Sequence, residues 1–156
     1  RIPSIGLRFF TVYGPWGRPD MALFKFTKAI LKGDPIQVFG NGELYRDFTY
    51  IDDIVNGLLL LIDKSPVQSD DTSYGIFNIG NSNPVKLLDF ITELEECLGI
   101  KAVKEFYPEQ PGDVTFTYSD NSKIYNFCNY IPQVPIKEGI RRFLVWYKQY
   151  YKSREL

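Results

Sequence analysis

Three short stretches of this chain gather side chains suited to holding an anion or a nucleotide. Thr11 through Arg18 places a hydroxyl at the end of an apolar run and then, after a Gly-Pro-Trp-Gly turn, a guanidinium. The planar fork of that group matches a carboxylate or a phosphate. Arg46 opens Arg46-Asp47-Phe48-Thr49-Tyr50, just after Val38-Phe39-Gly40-Asn41-Gly42. An arginine in a tight aromatic hairpin could grip a phosphate while the Val38 strand edge pairs with a flat base. Gln110-Pro111-Gly112-Asp113 offers a carboxylate in a stiff loop, able to accept hydrogen bonds from ribose hydroxyls. Each stretch also has a plainer reading: a solvated arginine on a turn, an Arg46–Asp47 surface pair, and an aspartate that caps a turn. On these residues alone the plain reading is the simpler one for Arg18 and Asp113, and the hairpin stays open between the two.

Other chemistries are excluded by what the chain lacks. It has no histidine, which removes imidazole bases, Ser–His and Cys–His nucleophiles and His-ligated zinc. Cys97 and Cys128 form no CxxC and read as reduced core thiols. Asp52–Asp53 is better explained as a helix start, and Asp70–Asp71 as a solvated loop, than as metal ligands. Eighteen Lys and Arg against nineteen Asp and Glu give a net charge of −1, with no basic surplus for nucleic acid or an anionic membrane. The longest apolar run, Gly57 to Ile62, is too short to span a bilayer. No signal peptide is read at Arg1, so the expected compartment is the cytoplasm.

The elements that must position these groups are legible as periodicities. Ile5 to Val12 is a nearly unbroken apolar run, read as one strand buried on both faces. Asp20 is expected to cap a helix carrying Leu23, Phe26 and Ile30, stopped by Gly33. Ile36 to Phe39 reads as a strand, Gly40-Asn41-Gly42 as a turn, and Tyr45 to Tyr50 as the returning strand. Asp52 or Asp53 then caps a helix with Ile54, Leu58, Leu61 and Ile62, ending near Ser65-Pro66. Residues 67–75 read as a polar loop and Ile76 to Ile79 as a strand. A helix with Leu87, Leu88, Ile91, Leu94 and Leu98 stops at Gly99, and Ala102 to Phe106 reads as a strand. After a loop at 107–114, Ser119 or Asp120 is expected to cap a short helix ending near Cys128. Ile140, Phe143, Leu144 and Tyr147 mark the last helix, with Lys148 to Leu156 expected to fray.

Strands alternating with helices predict an α/β protein with parallel sheet. No glycine-rich dinucleotide fingerprint and no P-loop accompanies them.

The run from Arg8 through Phe9-Phe10-Thr11-Val12-Tyr13-Gly14-Pro15-Trp16-Gly17-Arg18-Pro19-Asp20 to Met21 resembles the extended short-chain dehydrogenase/reductases. Within them it is similar to the nucleotide-sugar epimerases, in particular the UDP-glucuronate 4-epimerases. The resemblance continues in order through Pro35 to Phe39, Arg46 to Ile54, Phe77 to Asn81, Gln110 to Val114, Gly139-Ile140 and Trp146-Tyr147. It covers essentially all of residues 1–156.

That resemblance implies the C-terminal part of a Rossmann-type parallel sheet plus the small UDP-sugar-binding subdomain, with the dinucleotide-binding half outside the chain. It implies substrate contacts from Thr11, a sugar-carboxylate clamp at Arg18, and nucleotide contacts from Met21 and Ala22. Gln37, Val38 and Phe39 would flank uracil, Arg46 would meet the diphosphate, and Asp113 would take the ribose hydroxyls with Gln110 nearby. Phe9 would line the nicotinamide pocket of an NAD bound mainly by the other half. The implied reaction interconverts UDP-glucuronate and UDP-galacturonate at C4 through a 4-keto sugar. A neutral-hexose epimerase, a dehydratase, a UDP-glucuronate decarboxylase and a non-catalytic UDP-sugar-binding module are the alternatives. The family's catalytic Tyr-xxx-Lys pair has no counterpart, since no tyrosine here is followed by lysine four positions on. The expectation is therefore a chain inactive alone, belonging to a homodimeric parent enzyme.

Overall fold

The computed structural model describes residues 3–62, 64 and 74–152. In chain order the elements are β1 (Ser4–Phe9), β2 (Thr11–Tyr13), α1 (Ala22–Lys32), β3 (Ile36–Val38), β4 (Tyr45–Arg46) and β5 (Phe48–Tyr50). There follow α2 (Ile51–Ile62), β6 (Tyr74–Ile79), β7 (Val85–Lys86), α3 (Leu87–Leu98), β8 (Lys104–Phe106), α4 (Ser122–Cys128) and α5 (Ile136–Lys152). Parallel pairs join β1 with β6, β2 with β5 and β3 with β8, while β4 pairs antiparallel with β7. The fold is α/β with parallel strands.

Several expectations give way. The run from Ile5 to Val12 is two strands, separated at Phe10, and each finds a different partner. β1 is not buried on both faces: Arg8 is exposed and Phe9 stands 50% exposed at its C-terminal end. Tyr45 to Tyr50 is likewise two strands rather than the return of a hairpin. Asp47 breaks it, and its carboxylate is buried and bonded elsewhere, so β3 pairs with β8 instead. α1 starts after Met21, because Asp20 is engaged by Arg18. α2 ends at Ile62, and β6 begins two residues earlier than read. Ser65-Pro66, residues 67–73 and with them Asp70–Asp71 lie outside the described residues. α5 continues helical through Lys152, where fraying from Lys148 was expected. Its last turns are tied by ring contacts of Tyr150 with Trp146 and Tyr151 with Tyr147. α4 follows Asn121, although the Asp120 carboxylate does accept the Ser122 amide, at 2.9 Å.

The glycine stops hold. Gly33 and Gly99 adopt left-handed φ of 76° and 71° and return amides to the final carbonyls of α1 and α3. Two apolar clusters support the elements. One packs α1, α3 and α5 around β2, β3 and β5, with Phe48 stacked on Phe90 at 4.3 Å. The other sets α2 and α4 against β6 through Ile54, Phe77, Ile79 and Ile124. Cys128 is a buried free thiol; Cys97, also free, is only half-buried. Among the described residues no helix is long and apolar enough to cross a membrane.

Glu95 ties the end of α3 to the strand that follows. It is buried, accepts the Ala102 amide at 3.0 Å, and receives Lys101 at 2.9 Å and Lys104. Burial by itself would raise the carboxyl, but the two ammoniums and the amide hold it down to about 2. A carboxyl depressed in the folded state stabilises the fold above its ordinary range, and that contribution disappears as pH falls toward the folded value. The melting temperature is expected to drop between pH about 4.5 and about 2, following the unfolded-state carboxyl pKa. Glu95→Gln should lower the melting temperature at pH 7 and flatten that acid limb, which calorimetric scans at stepped pH would measure.

Candidate functional site

β3 alternates a buried Ile36, an exposed Gln37 and a buried Val38, so the strand period of two turns Gln37 away from the core. Its register sets Gln37 opposite Glu105 of β8. Both side chains line a cleft of about 720 Å³, in the size range of small-molecule sites. The N-terminal end of α1 forms a second wall with Met21 and Ala22, and Thr11 and Phe48 a third. Arg46, Gln110 and Asp113 close it, with Phe39 offering an aromatic face that packs 5.5 Å from Tyr107.

Eight of the eleven residues expected at a site therefore meet in one cleft: Thr11, Met21, Ala22, Gln37, Phe39, Arg46, Gln110 and Asp113. Three do not line it. Val38 is fully buried, with its carbonyl taken by the Tyr107 amide at 2.9 Å. Phe9 lies beyond the cleft at the end of β1. The side chain of Arg18 is exposed and chelates Asp20 through Nε at 3.1 Å and Nη2 at 2.5 Å. This pairing lowers the Asp20 carboxyl below its usual range, chiefly through the hydrogen bond from Arg18. Asp20 itself lines the cleft, so Arg18 is held at its rim.

Arg46 and Asp113 are joined, Nη2 to Oδ1, at 2.7 Å. The Arg46–Asp47 pair weighed from sequence is not formed. A second Arg46 nitrogen donates to the Tyr45 carbonyl at 3.0 Å, which fixes the plane of the guanidinium. Asp47, the next residue, faces inward. Its carboxylate accepts the amides of Asn81 at 2.7 Å and Ser119 at 2.8 Å, and its own amide donates to Thr117 Oγ1 at 3.0 Å. Its carbonyl accepts the Thr11 amide at 3.0 Å. Asp47 thus locks β2, the Gly80–Asn81 turn and the Thr117–Ser119 segment around Arg46. Asp53 does similar work, accepting the amides of Gln133 and Val134 at 2.9 and 3.0 Å.

Sequence reading missed Glu105, Lys25 and Asp20 as cleft residues. Glu105 becomes visible once β3 and β8 are set in register, and Lys25 follows from α1 one turn after Met21. Burial pushes the hydroxyls of Tyr13 and Tyr130 upward, which leaves both unsuited to proton abstraction. Among the described residues no group of three acidic or cysteine side chains is placed to hold a metal ion. The cleft offers two cations, Lys25 and Arg46, three carboxylates, Asp20, Glu105 and Asp113, and the hydrogen-bonding side chains of Thr11, Gln37 and Gln110.

Comparison with known proteins gives this arrangement a context. The profile of the NAD dependent epimerase/dehydratase family matches residues 1–80. An uncharacterized 37.6 kDa protein of Escherichia coli O111:H- is 48% identical, over 97% of this chain and 49% of its own length. UDP-glucuronate 4-epimerase 1 of Arabidopsis thaliana is 45% identical, over 94% of this chain and 37% of its own. The crystal structure of UDP-glucuronic acid 4-epimerase from Bacillus cereus, in complex with UDP-glucuronic acid and NAD, superposes with a TM-score of 0.85. It is 37% identical, over 96% of this chain and 46% of that one. The chain spans about half the length, or less, of these relatives.

Proposed function

Because the chain belongs to the NAD dependent epimerase/dehydratase family, we propose that it is the substrate-binding part of a nucleotide-sugar epimerase. The reaction proposed is the C4 interconversion of UDP-glucuronate and UDP-galacturonate by a longer protein containing these residues. The observation that carries the reading is the convergence of Met21, Ala22, Gln37, Phe39, Arg46 and Asp113 on one cleft of about 720 Å³. It agrees with the 45% identity to a UDP-glucuronate 4-epimerase.

On this reading the chain binds and orients. Gln37 and Phe39 flank the base, Arg46 neutralises diphosphate charge, and Asp113 accepts from ribose hydroxyls, with Gln110 beside it. Thr11 hydrogen-bonds the sugar. Arg18, at the rim, exchanges Asp20 for the sugar carboxylate, a ligand of the same shape and charge. The ring of Phe9, half exposed at the end of β1, suits the flat nicotinamide of NAD, held mainly by the dinucleotide-binding half outside these residues. NAD supplies the hydride acceptor at C4 when bound. The 156 residues alone are expected to turn nothing over, for want of a Tyr-xxx-Lys pair. The intact protein is proposed to be a cytoplasmic homodimer.

The exposed Arg18–Asp20 pair favours one second reading, an epimerase of a neutral nucleotide hexose that needs no carboxylate clamp. Arg18→Ala in the intact protein separates the two. The uronate reading expects kcat/KM on UDP-glucuronate to fall about 10- to 100-fold, the scale of a lost charge-assisted hydrogen bond. Undiminished turnover of UDP-glucuronate would remove Arg18 as the clamp, and turnover of a neutral UDP-hexose with none of UDP-glucuronate would establish the neutral sugar.

A further inference from the structure

The loop between β2 and α1 carries a residue that its backbone disfavours. Trp16 sits at φ 61°, the left-handed region, where a bulky side chain is a true outlier. The residue is 73% exposed, so burial does not hold it there. Two contacts do. The ring lies tilted against Trp146 with centroids 5.3 Å apart, and edge-on to Tyr150 at 4.9 Å. Both partners belong to α5 and stack on each other at 5.1 Å, and Trp146 packs in turn on Phe24 of α1 and Phe143. The loop is otherwise a tight turn, the Gly17 amide reaching the Gly14 carbonyl at 3.3 Å, and it hands over directly to Arg18. The Arg18 carbonyl then accepts the Met21 amide at 3.2 Å.

A strained residue persists only where its surroundings over-determine it, and such strain concentrates where geometry matters for function. We infer that Trp16 is a positioning residue: clasped to Trp146 and Tyr150 of α5, it fixes the turn that delivers Arg18 to the cleft rim and so sets selectivity for a carboxylate-bearing sugar. The inference rests on the reading of Arg18 as the carboxylate clamp. Without the ring, the backbone at position 16 relaxes toward negative φ, and the guanidinium two residues on loses its fixed bearing. The groups assigned to the nucleotide stand on other supports. Gln37 is held in the β3–β8 pair and Arg46 by Asp113 and Tyr45, so binding of the UDP portion is independent of the clasp.

The test is calorimetric titration of the intact longer protein with UDP, UDP-glucose and UDP-glucuronate. Trp16→Ala is expected to weaken UDP-glucuronate about 10- to 100-fold, the cost of a displaced charged hydrogen bond. UDP and UDP-glucose should stay within about twofold, and Trp16→Phe should recover most of the loss, since a ring can still stack. Trp16→Leu, which keeps apolar bulk without an aromatic face, decides the matter by the same ratio if the alanine variant precipitates. A UDP-glucuronate to UDP-glucose affinity ratio unchanged by these variants, with UDP still bound, overturns the clasp and leaves the cleft assignment standing. Wild-type protein that binds none of the three overturns both.

Discussion

Arg46→Ala in the intact protein is expected to weaken UDP binding by about 10- to 100-fold, the scale of a lost charge-assisted hydrogen bond. Two losses combine. The diphosphate loses a guanidinium whose plane is set by the Tyr45 carbonyl, and Asp113 loses its partner at 2.7 Å. An unpaired Asp113 carboxylate would then face the anionic ligand directly, adding repulsion to the lost attraction. Arg46→Lys should recover part of the affinity, because a point charge remains while the fork does not. Titration calorimetry with UDP at two salt concentrations checks this. Affinity in the alanine variant should also depend less steeply on salt, since one cationic contact has gone.

The largest structural effect is expected at Asp47. Its buried carboxylate serves two backbone amides far apart in sequence, and its own amide is bound by Thr117. Asp47→Ala leaves those two amides without an acceptor, at a cost of about 3 to 5 kcal/mol, the range for breaking a buried charged network. For a domain of this size that corresponds to a melting temperature lower by roughly 10 °C. Asp47→Asn should be little better, because its amide nitrogen would face an N–H donor wherever it points. Thermal melts report the stability. Loss of UDP affinity in parallel is expected, since the Asp47 carbonyl holds the Thr11 amide and Arg46 is its neighbour.

How far the site could be read in the sequence follows from how local its determinants are. The helices α1 and α3 are local: apolar residues at helical spacing, then Gly33 or Gly99 at a left-handed stop. Strand partners are not local. β3 pairs with a strand almost seventy residues later, so the expected hairpin with Tyr45–Tyr50 dissolves and Glu105 enters the cleft unannounced. Arg46 finds Asp113 rather than Asp47 because Asp47 is claimed by Asn81 and Ser119, a choice invisible in the stretch from Arg46 to Tyr50. Arg18 shows the opposite limit. A carboxylate two residues away wins it through the shortest possible loop, which keeps its side chain at the rim rather than inside. Most of the residues picked out by motif resemblance nevertheless converge, because Thr11, Met21, Ala22, Gln37 and Arg46 lie in or beside strands and a helix that the cores hold, and Asp113 is tied to Arg46. Trp16 carried no signal in the sequence beyond being aromatic; its left-handed backbone and its partners on α5 appear only in the fold.

The proposed function has this cleft hold a nucleotide-linked uronic acid for epimerisation at C4. Its most direct test is product analysis by NMR after incubating the intact longer protein with NAD and UDP-glucuronate. Appearance of UDP-galacturonate, with the uracil and diphosphate unchanged, is the predicted result. Conversion to UDP-xylose, or a substrate left untouched, would contradict it.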